Sequence, residues 1–474
     1  MDALEKLKII IWGTGQYWKN RKKYILDSFD IVCFLDNNHV KWNQELCGKI
    51  IDKPNNVLNY EFDYILIMCK SQEEIFNQAI NLGVSRQKIV SYNQFKQMGL
   101  KSYFVKYGEH KSKCYDVIVI STILDYNGGT MAVVYAVKAL QAKGKKVLLC
   151  AEDCSEKLLS ELITDDIEIM IVPSLPITIN DELMNCIEKC QMVLVNVFQM
   201  LPVVCQINGK KPVLWWIHEP ANLYDKVMQE FPQYKNSKLT SQINCIAVSR
   251  IPQKNFFEKY FRDIHKTMAY GIPDMTISET SFEKKKNKIV FAIVGSVIER
   301  KAQDIFVESI KSMDKSELQK ADFYIIGLCA NDIYGKQITQ NIKGYNNIYM
   351  LGNLTRAEMN KIYHQIDVVV CPSREDPLPI VMTEAMMYGK PCIASDSTGT
   401  ADYIDNGVNG FVCKTEDAED LCEKMRYFIH NPERIKEMGQ EARKVYEEYF
   451  TMDKFADRLC AAMDETINLF NNDK

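Results

Sequence analysis

The chain has 474 residues, room for about three domains, with an ordinary apolar fraction of 47% and charged fraction of 25%. A net charge of −4 gives no basic footprint, so no nucleic-acid partner is expected. No apolar run approaches the ~20 residues of a membrane helix, the opening MDALEKLKIIIWG lacks the features of a signal peptide, and the 16 cysteines form no paired CxxC motif, which reads as reduced thiols in a cytoplasmic protein.

Residues 1–110 read as a small α/β module. Leu7–Trp12 is a mostly apolar strand followed by Gly13-Thr14-Gly15 and a helical stretch. The strand Ile31–Leu35 closes on Asp36; Tyr64–Cys69 and a short Lys88–Ser91 follow. A glycine turn after the first strand and an acid after the second form the dinucleotide-binding arrangement, but the third glycine position holds Trp18. NAD, another nucleotide or sugar ligand, and a docking role therefore all stay open for this module. The polar stretch Gly108–Cys114 is the expected linker.

A second unit spans 114–280. Its expected strands are Asp116–Ser121, Lys146–Cys150, Ile167–Val172, Met192–Val197, Val213–Ile217 and Cys245–Ser249. The loop Asp125–Thr130 carries Gly128 and Gly129 into a helix over Met131–Ala142. Two glycines let backbone approach a ligand, and the helix start offers free amides. His218 ends the strand Val213–Ile217 at the carboxyl edge, where α/β sheets bind ligands. Polar, lysine-rich residues 275–287 mark the passage to a third unit, 281–474.

That unit begins with Ile289–Val294, the loop Gly295–Lys301 and a helix from about Gln303. Arg300 and Lys301 sit beside a helix start, where cations oppose the dipole unless an anion binds. Strands Asp322–Ile326 and Asn347–Leu351 end at Gly327 and Gly352, and a helix Arg356–Gln365 follows. The apolar strand Val368–Cys371 then leads through Arg374, Glu375, Asp376, Pro377 and Pro379 to a helix from Ile380 to Tyr388, stopped by Gly389. A further strand, Pro391–Ala394, comes next. The amides of Ile380 and Val381 favour a phosphate, and Glu384, one turn inside, is placed for hydroxyls. Phosphate and hydroxyls together describe a sugar nucleotide.

Asp376, seven intervening residues, Glu384-Ala385-Met386, Gly389-Lys390-Pro391 and Ala394-Ser395-Asp396 resemble the nucleotide-sugar half of retaining glycosyltransferases with the two-Rossmann GT-B fold, family 4 type. The first acid of that pattern is usually Glu; here it is Asp376, with Glu375 beside it. The resemblance implies an α/β GT-B protein, two Rossmann-like domains facing a cleft, with the N-terminal module as an addition. It implies that Gly128 and Gly129 face the donor phosphate and acceptor, and that His218 contacts the transferred sugar. Arg300 and Lys301 would stabilise the diphosphate, Asp376 would orient the sugar hydroxyls, and Glu384 would hold the ribose. Gly327 would lie near the nucleotide and Met350 or a neighbour near the base. Tyr270–Asp274 resembles the family's interdomain turn, and the last helix, Met452–Phe470, would cross back onto the middle domain.

The same resemblance implies no cofactor and no metal. The substrate would be a nucleoside-diphosphate sugar, and the acceptor a glycan or lipid-linked glycan. A lipid-linked acceptor leaves room for peripheral membrane contact, for instance through Lys284-Lys285-Lys286. The alternatives are a non-catalytic GT-B partner of another glycosyltransferase and a sugar-nucleotide epimerase. The sequence identifies neither the sugar, the linkage nor the oligomeric state.

Overall fold

The computed structural model describes residues 7–472 apart from 20–21, 27–28, 70–71, 97–102, 107–113, 236, 238, 261–263, 265 and 277–287. Residues 108–113 of the expected linker Gly108–Cys114 and the basic run Lys284–Lys286 lie outside the described residues.

Three sheets follow one another along the chain. The first contains β1 Lys8–Trp12, β2 Asp30–Leu35, β3 Glu45–Leu46, β4 Lys49–Asp52, β5 Tyr64–Ile67 and β6 Ile89–Ser91, in the order β3-β4-β2-β1-β5-β6. Strand alternation sends Ile9 and Ile11 into one core and Ile10 and Trp12 into another, so both faces of the sheet are covered. Trp18 is fully buried, its ring centroid 5.0 Å from that of Phe34, and fills the space a third glycine would have left. Asp36 accepts hydrogen bonds from the Thr14 amide (3.0 Å), the Thr14 hydroxyl, the Asn38 amide (2.9 Å) and Lys41 (2.8 Å). The acid at the end of the second strand thus ties the glycine turn down.

The second sheet holds β7 Tyr103–Lys106, β8 Val117–Ser121, β9 Val147–Ala151, β10 Glu168–Ile171, β11 Met192–Asn196, β12 Val213–Ile217 and β13 Ile243–Ala247. Its order is β13-β12-β11-β8-β9-β10-β7. All pairs are parallel except β7, which runs antiparallel to β10. This corrects the first boundary: residues 103–106, read within a 1–110 module, belong to the second sheet.

The third sheet is wholly parallel. It contains β14 Ile289–Val294, β15 Ala321–Ile326, β16 Ile348–Gly352, β17 Val368–Cys371, β18 Cys392–Ser395 and β19 Gly410–Cys413, in the order β16-β15-β14-β17-β18-β19. Its strands are short apolar runs because helices cover both faces. The second and third sheets point their carboxyl ends at a common cleft, lined by residues that follow β8, β11, β12 and β13 on one side and β14 to β17 on the other.

The chain crosses between these units twice. At the first crossing Gly271 meets the segment Phe450–Thr451, and a Cβ on it would lie 2.6 Å from the Thr451 carbonyl oxygen, so only glycine fits. Ile272 donates its amide to the Phe450 carbonyl at 2.9 Å, and Tyr446 donates its hydroxyl to the Ile272 carbonyl at 3.0 Å. The last helix, Met452–Asn472, then returns across the middle domain against the helix Gly128–Ala142 and strands β12 and β13. Phe455 seats its ring 5.6 Å from Trp216, and Asn244 donates to Thr466 at 2.9 Å.

Candidate active site

The cleft has a volume of about 610 Å³. On its middle-domain wall the helix Gly128–Ala142 starts three residues earlier than its sequence suggests, because Asn127 caps it by accepting from the Thr130 amide at 3.0 Å. Gly128 and Gly129 are therefore the first helical turn, not a loop, and both face the cleft. A side chain at Gly128 would meet nothing of this chain within 4 Å.

His218 follows β12 in the same wall, its ring 4.3 Å from Trp216. Its Nε2 is inaccessible and without a hydrogen-bond partner, and burial pushes its pKa down to about 3, so the imidazole is neutral. Glu219 turns inward. It is 1% exposed and accepts from the amides of His218 (2.8 Å) and Phe198. Burial pushes its pKa up to about 7, against the lowering effect of those amides. The bond to Phe198 holds the neighbouring Val197 at φ 67°, a region β-branched residues avoid. Val197 lines the cleft, so the strain lies at the site.

On the opposite wall Arg300 and Lys301 occupy a single 3-10 turn, Glu299–Lys301, separated from the helix Gln303–Lys311 by Ala302 at φ 57°. Both cations converge on Asp376, which is 5% exposed: Lys301 donates to its Oδ2, and Arg300 Nη1 lies 3.4 Å from the same oxygen. Arg300 also donates to the Glu375 carbonyl at 2.7 Å. Gly327 ends β15 at φ 145°, and a Cβ there would overlap the Gly295 carbonyl oxygen at 2.0 Å. Two strand ends touch there, and both glycines line the cleft.

The helix Ile380–Met387 begins after Pro379, which is its N-cap and supplies no side-chain hydrogen bond. The first-turn amides at Ile380 and Val381 have no partner within the helix, and both residues line the cleft. Glu384 is 7% exposed and accepts from Arg356 Nη1 at 2.7 Å and the Tyr363 hydroxyl at 2.9 Å. Arg356 reaches on to the Tyr135 hydroxyl of the middle domain at 3.4 Å.

The structure thus brings together Gly128, Gly129, His218, Arg300, Lys301, Gly327, Asp376, Ile380, Val381 and Glu384. Met350 is the exception. Strand alternation turns it, with Ile348, towards the helix Ile333–Asn341, where its sulfur lies 3.9 Å from the Thr339 hydroxyl. Leu328, Asn353, Leu354 and Met359 occupy the wall expected of it. Arg356, Tyr135 and Tyr363 were missed. Arg356 opens a helix, Arg356–Tyr363, so the clash between cation and helix start that singled out Arg300 and Lys301 also applied to it.

Residues 274–445 match the family model of glycosyl transferases group 1, and residues 5–90 match that of the C2185-like N-terminal domain. An uncharacterized glycosyltransferase of Methanocaldococcus jannaschii is 29% identical over 164 residues, covering 34% of this chain and 44% of its own length. An Escherichia coli UDP-Gal:alpha-D-GlcNAc-diphosphoundecaprenol alpha-1,3-galactosyltransferase is 27% identical over 181 residues, covering 37% and 44%. The chain spans less than half the length of these relatives. Among solved structures, Anabaena HepE in complex with UDP and glucose superposes with a TM-score of 0.62 at 15% identity, over 74% of this chain and all of its own. WaaG, a glycosyltransferase involved in lipopolysaccharide biosynthesis, gives 0.53 at 15% identity over 72% and 99%. The fold is therefore GT-B. The match to the group 1 glycosyl transferase model falls on the third sheet and its helices, and a separate α/β sheet precedes the two sheets that form the cleft.

Proposed function

We propose that this protein is a retaining glycosyltransferase that moves a sugar from a nucleoside-diphosphate sugar to a glycan or lipid-linked acceptor, with no metal ion. One observation carries the reading: two cations, an uncapped helix start and two buried carboxylates converge in one cleft opposite a neutral histidine. The donor diphosphate would take over Arg300 and Lys301 and the amides of Ile380 and Val381. Charge developing on the leaving diphosphate is then met by fixed donors, the electrostatic contribution that usually dominates such catalysis. Release from the two cations frees Asp376 to accept hydrogen bonds from the sugar hydroxyls. Neutral His218 lines the facing wall and would pack its uncharged ring against the sugar. Glu384, oriented by Arg356 and Tyr363, keeps acceptor capacity for the ribose. Asp376 is pinned between cations and is no free nucleophile; the resemblance noted above assigns the acceptor proton to the leaving phosphate, on the face the sugar leaves from.

Thermal-shift measurements against UDP, GDP, ADP and their common sugars test this, with UDP first because HepE was crystallised with it. A ligand at about 100 times its Kd stabilises the fold by ~2.7 kcal/mol. The expected result is a shift with one nucleoside diphosphate, lost in Glu384→Ala, and turnover that collapses in the Arg300→Ala/Lys301→Ala double variant. Turnover unchanged in both variants, or no shift with any nucleotide, would refute the assignment.

A further inference from the structure

Glu375 looks at first like a duplicate of Asp376, yet the two neighbours point to opposite sides of the cleft. Asp376 turns to Arg300 and Lys301 of its own domain. Glu375 crosses to the middle domain, where its Oε1 accepts from the Ala221 amide at 2.8 Å and from the side-chain amide of Asn255. Ala221 is the first residue of the ten-residue helix Ala221–Glu230, whose N-cap is Pro220 and which has no side-chain cap of its own. A helix start needs an acceptor for its free amides and favours negative charge. Here the other domain supplies both. The Ser249 hydroxyl donates to the Pro377 carbonyl and the Tyr270 hydroxyl to the Leu378 carbonyl at 2.7 Å, which seats the same loop on the same wall.

The clasp joins two short segments with a site residue at one end of each. One runs from His218 to Ala221, the other from Glu375 to Asp376. We propose that Glu375 is a positioning residue: by capping the helix of the facing domain it sets His218 and Asp376 at a fixed separation across the transferred sugar. This rests on the glycosyl-transfer reading above. Because reacting groups misplaced by about 1 Å cost on the order of 100-fold in rate, the contact should act on turnover rather than on donor affinity. Glu375 contributes no group to the diphosphate, which is held by Arg300, Lys301 and the helix at Ile380.

The test compares Glu375→Ala with Glu375→Gln in the full chain. Gln keeps an acceptor oxygen for both donors; Ala keeps none. Three quantities are measured: kcat, the KM for the donor identified by thermal shift, and backbone hydrogen exchange by mass spectrometry. The expected result for Glu375→Ala is a fall in kcat of about 10- to 100-fold, with donor KM within about threefold of the native protein. Exchange should quicken both at 218–223 and around the Asp376 and Gly399 amides, which the loop itself holds through Ser397 and Asp376. Glu375→Gln should restore kcat to within about threefold. A kcat untouched by Glu375→Ala, or a Gln variant as impaired as Ala, overturns the proposal. If the native protein turns over no nucleotide sugar, the glycosyl-transfer reading fails, and exchange alone decides the clasp. Quickening confined to Ala221 itself then refutes it, and quickening on both walls supports it.

Discussion

His218, half-buried with an inaccessible Nε2, and the buried Glu219 are adjacent and shifted in opposite directions, so their contributions to stability should cancel over a defined pH window. The Glu219 carboxyl rises from its ordinary 4.5 to about 7. The folded state therefore keeps a proton that the unfolded chain loses, and this stabilisation is full below pH 4.5 and is lost as pH rises to 7. The His218 imidazole falls from 6.5 to about 3. Its contribution is full above pH 6.5 and is lost as pH falls towards 3. Each slope is about 1.36 kcal/mol per pH unit, with opposite signs. Between pH 4.5 and 6.5 they offset one another. His218→Gln removes one slope, so its stability relative to the native protein should fall by ~2.7 kcal/mol from pH 4.5 to 6.5. Glu219→Gln, which keeps an acceptor for the two amides, should gain by about the same amount over that interval. The assay is urea unfolding at several pH values, followed by the fluorescence of Trp215 and Trp216, which lie in the strand that His218 ends. Because a chain of several domains does not unfold in one step, only this transition is analysed, as the difference between variant and native protein. Both variants tracking the native protein to within ~0.5 kcal/mol across the window would show that neither group is shifted as burial demands.

Two further outcomes follow from the packing. Arg356→Ala should lower the stability of the donor-side domain by about 1–3 kcal/mol, since it leaves the Glu384 carboxylate with Tyr363 alone. Chemical denaturation checks this, and Arg356→Lys should restore less than half, because an ammonium cannot reach Glu384 and Tyr135 with a planar fork. Phe455→Ala should cost about 3–5 kcal/mol and alter Trp216 fluorescence, since the two rings pack at 5.6 Å; an unchanged emission spectrum would mean the last helix is not seated on β12.

Much of the fold was legible because parallel strands are buried on both faces and read as unbroken apolar runs. VLWWI, IVFAIV and VVVC were bounded to the residue. Misses fall where that reason fails. β3 and β4 expose Glu45, Lys49 and Ile50 and form a short edge hairpin with no apolar run to announce it. Met350 or a neighbour was placed near the base by resemblance alone; β16 is an edge strand with only Ile348 buried, and Met350 turns with Ile348 onto the helix Ile333–Asn341 rather than into the cleft. The residues of the cleft reached through local pattern were found. Those whose partners are distant were not: Glu375 bonds residues 154 and 120 positions away, and Arg356 reaches Tyr135 across 221.

One local feature nevertheless pointed at these distant pairs. Both Ala221–Glu230 and Ile380–Met387 start after a proline, with no Ser, Thr, Asp or Asn to cap them. A helix start left open at a cleft must be closed by something outside the helix. At Ala221 the chain closes it with a carboxylate from the opposite domain. At Ile380 no side chain of the helix's own N-cap does so, and the two cations that would accompany a phosphate there share the single carboxylate of Asp376. The two uncapped starts thus divide the cleft. Under the proposed function, the one satisfied by the protein would hold the two walls at a set distance, and the other would take the anionic end of the donor, whose arrival would release Asp376.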